Sequence, residues 1–516
     1  MHLADLLRGF DRADITFSYA GPPTGSLDVS AITYNSQVVQ PGALFVARPG
    51  HHADGHHFIP DAVARGASVI VGSRDGAEFA LPGSVGYLRV DHPARALGLL
   101  ACAFYGQPSR QMAVIGVTGT DGKTSTVNLI AAILDAAGHT SGLTSTVDFK
   151  IGPQRIENET RFTNLEAPEL QAVMAQMVAG GVDYAVIEST SSGLELERLA
   201  GIEYDVAVVT NITSEHLEVH GSKEAYWRAK AMLFERVDPL QAKEPGPPFV
   251  TPRVCVLNAD DASYAFLSRF CRAPILTYGI ENPGADVNAH QVVLRADGSS
   301  FAVALPDGTT FQVESPLVAR FNVANCLAAI AACWSQGVAP EVIAHALATF
   351  SGVPGRMERI DAGQDFAVIV DYAHTAESLH QVLTVLRPLT RGRLIAVFGS
   401  AGDRDRTKRP EMGAVAAENA DYFVITDEDP RTEDALSILR EIAAGAVAAG
   451  ATEGVDFINQ VGRREAIARA FAVAGTGDTV VLCGKGHEQS IIIGTAKLPW
   501  DDRRVARELL NATSVT

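Results

Sequence analysis

The segment that most limits what this chain can fold into runs from Met112 to Gly138. An apolar run, MAVIGV, is followed by TGTDGKTS (residues 118 to 125) and then by the helical pattern NLIAAILDAAG. A short unbroken apolar run bounded by a turn reads as a strand covered on both faces, and strand, glycine-rich turn and helix in succession form the unit of a parallel α/β sheet. The turn itself has a use. Backbone N–H groups of such a loop and of the helix N-terminus can cradle phosphate oxygens, Lys123 adds a mobile cation, and Thr124 can place a hydroxyl on Mg²⁺. The spacing differs from the common GxxxxGK[ST] loop, whose first glycine would fall at Val117. Gly119, Thr120, Asp121, Gly122, Lys123, Thr124 and Ser125 are therefore expected to bind the phosphates of ATP.

The alternation continues along all 516 residues, a length that implies about three domains. Residues 1 to 108 form a first α/β block with strand-like pieces ALFVARPG and ASVIVGSR. Residues 109 to 351 hold the phosphate loop and the strands DYAVIES and YDVAVVTNI, a mostly parallel sheet of the P-loop ATPase kind. Within it, DPLQAKEPGPPFVTP reads as a proline-rich surface loop. Residues 352 to 516 repeat the pattern in FAVIVDYA, LIAVFGSAG, YFVITDEDP and DTVVLCGKGHE, a Rossmann-like domain. This last block lacks GxGxxG after its first strand, which argues against a dinucleotide. Nearly every polar cluster stands at a strand's carboxyl end, where ligands of such sheets bind, and we expect one site between the second and third blocks.

Composition narrows the partners. A net charge of −18 argues against a general nucleic-acid binder. No stretch approaches the roughly 18 apolar residues of a membrane span. The start MHLADLLRGFDRAD has acids where a signal peptide needs bases, and the six cysteines are scattered without CxxC spacing. The expectation is a cytoplasmic monomer acting on small molecules, with no nucleic-acid or membrane partner.

Three further residues sharpen the chemistry. Glu188 closes the strand DYAVIES, where a carboxylate can reach a metal held by Thr124, and His216 follows the next strand. Lys230 lies in SKEAYWRAKAMLFERV with Tyr226, Trp227, Leu233 and Phe234 at helical spacing around it, so its ammonium falls on the apolar face. A cation there must snorkel, pair or change chemistry.

Together, TGTDGKTS, EHLEVHG, Lys230 fourteen positions after His216, FNVAN, VPGRME, DYAHT, FGSAGDRDRTKRP, the DxPRTED segment and GKGHE resemble the Mur ligases. Within that family they look like the UDP-N-acetylmuramoyl-tripeptide synthetase type, and YNSQVVQPGALFVARPGHHADGHHFI resembles its uridine-binding domain. The resemblance implies an ATP-dependent ligase of cell-wall peptidoglycan synthesis. ATP would phosphorylate the D-Glu side chain of UDP-MurNAc-L-Ala-D-Glu, and the amine of a dibasic amino acid would attack the acyl phosphate. By position, Lys123 and Thr124 would serve the triphosphate, Thr124, Glu188 and His216 the Mg²⁺, and Lys230, as a carbamate, the same metal site. Asn322, Arg356 and Asp371 would hold ATP. Tyr34, Ser36, His51, His52 and Ala53 would meet the uridine end, and Thr163, Asn164, Thr190 and Arg198 the muramoyl dipeptide. Arg404, Glu428, Asp429, Pro430, Arg431, Gly484 and Glu488 would select the amino acid.

The sequence departs from the family mainly where the acceptor would bind: TNL for the usual TTP, Ser192 for a His, Leu196 for a Gln, and NSQ (residues 35 to 37) for DSR. Asp429 stands where diaminopimelate enzymes carry Asn. As a free carboxylate it would attract a distal ammonium and repel a distal carboxylate, which leans towards L-lysine or L-ornithine, while Arg431 leans towards meso-diaminopimelate. A related Mur-type or folylpolyglutamate-synthase-like ligase acting on another carboxylate, and a non-catalytic nucleotide-dependent binding protein, are the competing readings.

Overall fold

The computed structural model describes residues 1–10, 15–50, 53–158, 160, 162–212, 222–244, 246–295 and 297–513. They fall into two compact units. One comprises Met1–His290, Ala302–Gln312 and Ala324–Leu347, the other Gln291–Phe301, Val313–Val323 and Ala348–Thr516.

The first unit opens with five strands, β1 (Phe17–Ala20), β2 (Ile32–Thr33), β3 (Leu44–Val46), β4 (Val69–Gly72) and β5 (Gly86–Val90), ordered β1-β5-β4-β3-β2. Alternate residues explain its two cores. Leu44, Val46, Val69, Val71 and Leu88 pack with Leu97 and Leu100 of the helix Pro93–Phe104, while Phe45 and Ile70 face Ile59 and Ala62.

The same unit carries β6 (Ala113–Thr118), β7 (Ser141–Thr144), β8 (Asp148–Ile151), β9 (Gln154–Glu157), β10 (Tyr184–Glu188), β11 (Val206–Val209), β12 (Val254–Asn258) and β13 (Ile275–Gly279). Their order is β13-β12-β11-β6-β10-β7-β8-β9, continued beyond β13 by β14 (Val287–Arg295), β15 (Gly298–Ala304) and β16 (Thr310–Ser315). All six residues of β6 are buried, as a strand covered on both faces requires. Its parallel neighbours are β10 on one side and β11 on the other. The chain leaves β6 towards β7 and later returns to β11, so the end of β6 is a topological switch point. The phosphate loop begins there.

One element of this unit departs from expectation. The proline-rich segment after Asp238 is not merely a surface loop, because the Lys243 ammonium is buried and ion-paired with Asp205. Asp205, itself buried, also accepts from Val114 N at 2.7 Å.

The second unit holds β17 (Glu358–Ile360), β18 (Ala367–Asp371), β19 (Leu394–Phe398), β20 (Tyr422–Ile425), β21 (Phe457–Asn459) and β22 (Thr479–Cys483), ordered β17-β18-β22-β19-β20-β21. Only β17 runs antiparallel to its neighbour among these. Ile369, Ala396, Phe398, Ile425 and Val481 face one core, and Val368, Val370, Ile395, Val397 and Val480 the other. A hairpin of β23 (Ser490–Ile493) and β24 (Ala496–Pro499) follows. No helix among the described residues is long and apolar enough to cross a membrane.

Candidate active site

Two glycines shape the phosphate loop, and neither position accepts a side chain. Gly119 (φ +151°) would put a Cβ 1.8 Å from Thr210 Oγ1, and Gly122 (φ +78°) would put one 2.2 Å from Asn325 Oδ1. Asn211 laces the loop from β11: its carbonyl accepts from Thr120 N at 2.7 Å and its Oδ1 from Asp121 N at 3.1 Å. Gly122 then starts the helix Lys123–Ala136, leaving the first N–H groups of that helix at the loop. Lys123 Nζ donates to the carbonyls of Gly119 and Thr120, at 3.1 and 2.7 Å.

Glu188 is 1% exposed and closes β10 beside the loop. Its carboxylate accepts from Thr124 Oγ1 at 3.0 and 3.2 Å, from Thr146 N at 3.0 Å and from Thr146 Oγ1 at 3.2 Å. Thr146 Oγ1 in turn lies 2.8 Å from Thr163 Oγ1. Thr124, Thr146 and Glu188 thus offer hard oxygen donors around one buried carboxylate, a set that fits Mg²⁺. Asn164, which replaces the usual second Thr of TTP, donates to Glu188 O at 2.5 Å and accepts from Thr190 N at 3.0 Å and Thr190 Oγ1 at 2.7 Å. It ties the end of β10 to the start of the helix Ser191–Glu195, which Thr190 caps. Ser192 Oγ lies 3.3 Å from Thr190 Oγ1.

Lys230 is 1% exposed, on the apolar face of the helix Lys223–Glu235. Its Nζ donates to Gly119 O at 2.6 Å and lies 4.4 Å from the centre of the Tyr226 ring. The Tyr226 hydroxyl is 3.1 Å from Thr120 Oγ1, so this helix touches the phosphate loop twice. His216, His51 and His52 lie outside the described residues.

Of the expected acceptor residues, Tyr34 and Arg198 meet at the helix Ala167–Ala179, through Glu169 and its N-cap Glu166. Tyr34 donates to Glu169 Oε1 at 3.3 Å, and burial, with help from Glu169, pushes its phenol up to about 12. Ser36 is buried, and its hydrogen bond to Asp61 holds that carboxyl below the usual range. Ala53 is exposed. Arg198 is ion-paired with Glu166.

The second unit brings together most of its predicted residues. Gly355 and Gly486, both at positive φ, pass so closely that a Cβ on Gly355 would sit 2.1 Å from Gly486 C. This contact joins VPGRME to GKGHE. Arg356 lies 4.8 Å over the Tyr372 ring, and Asp371 accepts from Met357 N at 2.8 Å and Ala373 N at 2.9 Å. Burial raises the Asp371 carboxyl, opposed by Arg356. Asn322 donates to Val318 O at 2.8 Å. His487 packs on Tyr372, and burial followed by Arg356 and other cations pushes its imidazole down to about 3.

The residue that sequence reasoning passed over is Lys485, although GKGHE carries it. Its ammonium is fully buried and donates to Asp429 Oδ1 at 2.8 Å and to Glu488. Asp429 also accepts from Ile492 N at 2.9 Å. The carboxylate expected to face the amino acid's far end as a free charge is thus ion-paired to an internal cation that it shares with Glu488. The helix that follows, Ala435–Ala448, is capped by Asp434. Glu428 is buried beside Gly484, and burial, opposed by Lys408 and Lys485, pushes its carboxyl up to about 7. Arg431 adopts positive φ (+53°), and its Nε is buried with no hydrogen-bond partner among the described residues. Arg404 is exposed on the loop after β19, and Pro430 is buried.

Models of three Mur ligase domains match this chain: the catalytic domain of the Mur ligase family over residues 28–105, the Mur ligase middle domain over 117–333, and the Mur ligase glutamate ligase domain over 355–486. A UDP-N-acetylmuramyl-tripeptide synthetase of Roseiflexus sp. (strain RS-1) is 46% identical over 95% of this chain and 96% of its own length. The chain belongs to the Mur ligase family. A UDP-N-acetylmuramoyl-L-alanyl-D-glutamate–2,6-diaminopimelate ligase of Streptomyces coelicolor is 41% identical, covering 95% of this chain and 94% of that one. The solved structure of a ligase with the same name matches with a TM-score of 0.71 at 28% identity, over all of both chains. As a Mur ligase the chain is an ATP-dependent, Mg²⁺-using amide ligase of peptidoglycan precursor synthesis with the family's three-part α/β architecture.

Proposed function

We propose that this Mur ligase joins meso-diaminopimelate to the side-chain carboxylate of D-Glu in UDP-MurNAc-L-Ala-D-Glu. Residues 1–108 would hold the uridine end, 109–351 ATP and the dipeptide, and 352–516 the amino acid, in a monomeric cytoplasmic enzyme. Lys123 and the loop N–H groups neutralise charge as the γ-phosphoryl passes from ATP to the acceptor carboxylate. The amine then attacks the acyl carbon and phosphate leaves. Glu188, Thr124 and His216 would hold Mg²⁺, which supplies charge neutralisation at the phosphates when bound. Burial of Lys230 against the loop supports its carbamylation, because a lysine that loses its proton can add carbon dioxide and become an anion suited to a metal site.

The observation that carries the choice of amino acid is the Lys485–Asp429 pair beside Arg431. With Asp429 held by Lys485 and by the Ile492 amide, Arg431 is the side chain proposed to meet the far end of the substrate. A carboxylate there satisfies a guanidinium, whereas a lone ammonium would face a like charge. The 41% identical Streptomyces relative bears the name of a diaminopimelate ligase. Incubation with ATP, UDP-MurNAc-L-Ala-D-Glu and meso-diaminopimelate, L-lysine or L-ornithine separately, followed by mass analysis, tests the reading. The diaminopimelate tripeptide should dominate by more than about tenfold in kcat/KM, roughly 1.4 kcal/mol. Preference for L-lysine or L-ornithine would return the selectivity to Asp429.

A further inference from the structure

Glu166 is the N-cap residue of the helix Ala167–Ala179, yet its side chain makes no cap hydrogen bond. Its oxygens go elsewhere. Oε2 accepts from Arg48 Nη1 at 2.7 Å, and Oε1 accepts from Arg198 Nε at 3.0 Å with Nη2 at 2.9 Å. Arg48 comes from the segment after β3 of the first sheet, and Arg198 from the segment after β10 of the central one. Each guanidinium lies over an aromatic face, Arg48 at 4.5 Å from the Tyr34 ring and Arg198 at 5.4 Å from the Phe162 ring. Stacking occupies the planar faces and leaves the N–H edges for an anion, the geometry in which arginine recognises carboxylate or phosphate. Phe162 is 60% exposed, so this wall is open to solvent. Glu166 thus occupies the N–H edges of both guanidinium groups at once. The neighbouring Glu169 accepts from Tyr34, and its own carboxyl is raised by burial.

We propose that Arg48 and Arg198 form a clamp for an anionic group of the acceptor nucleotide, and that Glu166 holds the clamp's place until the acceptor arrives. The proposal rests on the reading of this cleft as the acceptor site. It adds Arg48 and Glu166 to the residues that set acceptor affinity. The anion is either the diphosphate or a carboxylate of the dipeptide, which share the same recognition chemistry.

Two substitutions separate a clamp from a mere tether between the sheets. Arg48→Leu removes one jaw, and KM for UDP-MurNAc-L-Ala-D-Glu should rise about tenfold while KM for ATP stays within about twofold. Glu166→Gln removes the competitor, and the same KM should fall about threefold although two ion pairs are lost. A tether would move both variants the same way, towards higher KM and lower melting temperature, and that result overturns the clamp. Direct binding of UDP-MurNAc, which has the diphosphate but no peptide, identifies the anion. Weakening of both nucleotides in Arg48→Leu assigns the diphosphate, weakening of the full precursor alone assigns a peptide carboxylate, and weakening of neither refutes the proposal. Wild-type protein that bound neither nucleotide would remove the acceptor reading itself, and the clamp with it.

Discussion

Two sets of carboxylates near strand ends face opposite situations. Among the described residues, the Glu188 carboxylate is hydrogen-bonded by the hydroxyls of Thr124 and Thr146 and by a backbone N–H, all neutral. Asp429 and Glu488 share the buried ammonium of Lys485. A buried carboxylate held by neutral donors can take up an arriving cation, whereas one already ion-paired has less to offer. The first arrangement suits a metal and a triphosphate that come and go. The second is a finished scaffold that presents neighbouring groups, Arg431 and Glu428, to the substrate.

The contrast is most easily broken at Lys230. If it completes the metal site beside Glu188, Lys230→Ala should lower kcat by on the order of 10²–10³, with partial recovery on adding short carboxylates. Full activity in that variant would make it only a packed amine. In the second region the corresponding blow should fall on folding. Lys485→Met leaves two carboxylates without their cation and should cost about 3–5 kcal/mol in urea unfolding. Adding Asp429→Asn to that variant should restore part of the loss, and no recovery would mean that Asp429 is not held by the pair.

Glu428 gives a smaller effect with a definite sign. Its carboxyl is pushed up from an ordinary 4.5 to about 7, so the folded protein keeps a proton that the unfolded chain has released. This contribution to stability falls as pH rises between those values. Glu428→Gln should therefore be more stable than the wild type above pH 7, by roughly 1–3 kcal/mol, and the two should converge near pH 4.5. Parallel pH profiles would show that Glu428 ionises normally. The smallest change is expected from Ser192→His, which restores the family's usual residue next to the Asn164 network. KM for the acceptor should stay within about threefold, and a larger shift would show that Ser192 touches the acceptor.

Much of the central site was legible because its logic is local. The apolar run, the glycines and Lys123 are contiguous, and helical periodicity alone placed Lys230 on a buried face, where it is 1% exposed. Glu188 was readable as a strand-end acid. Its partner Thr146 was not, because an antiparallel excursion through β8 and β9 separates the two strand ends in sequence. The ion pair of Asp429 was hidden for a similar reason: its cation is 56 positions away, and nothing near DEDPR announces it. Lys243 looked like part of a solvated proline-rich loop, since spacing cannot reveal a single side chain reaching back beneath a sheet. Long-range charge pairing is what the sequence concealed.

That last contact has a consequence for how the central sheet is completed. Asp205 accepts the amide of Val114 on the innermost strand, and its charge is met by Lys243, a residue 38 positions further along. Arg253, just before β12, lies 3.8 Å from the same carboxylate, so both cations that meet this buried anion come later in the chain than Asp205. On a ribosome, where the chain emerges from its N-terminus, β6, β10 and β11 exist before either counterion does. Part of the central sheet's charge balance therefore comes from a stretch of chain that contributes no strand to it.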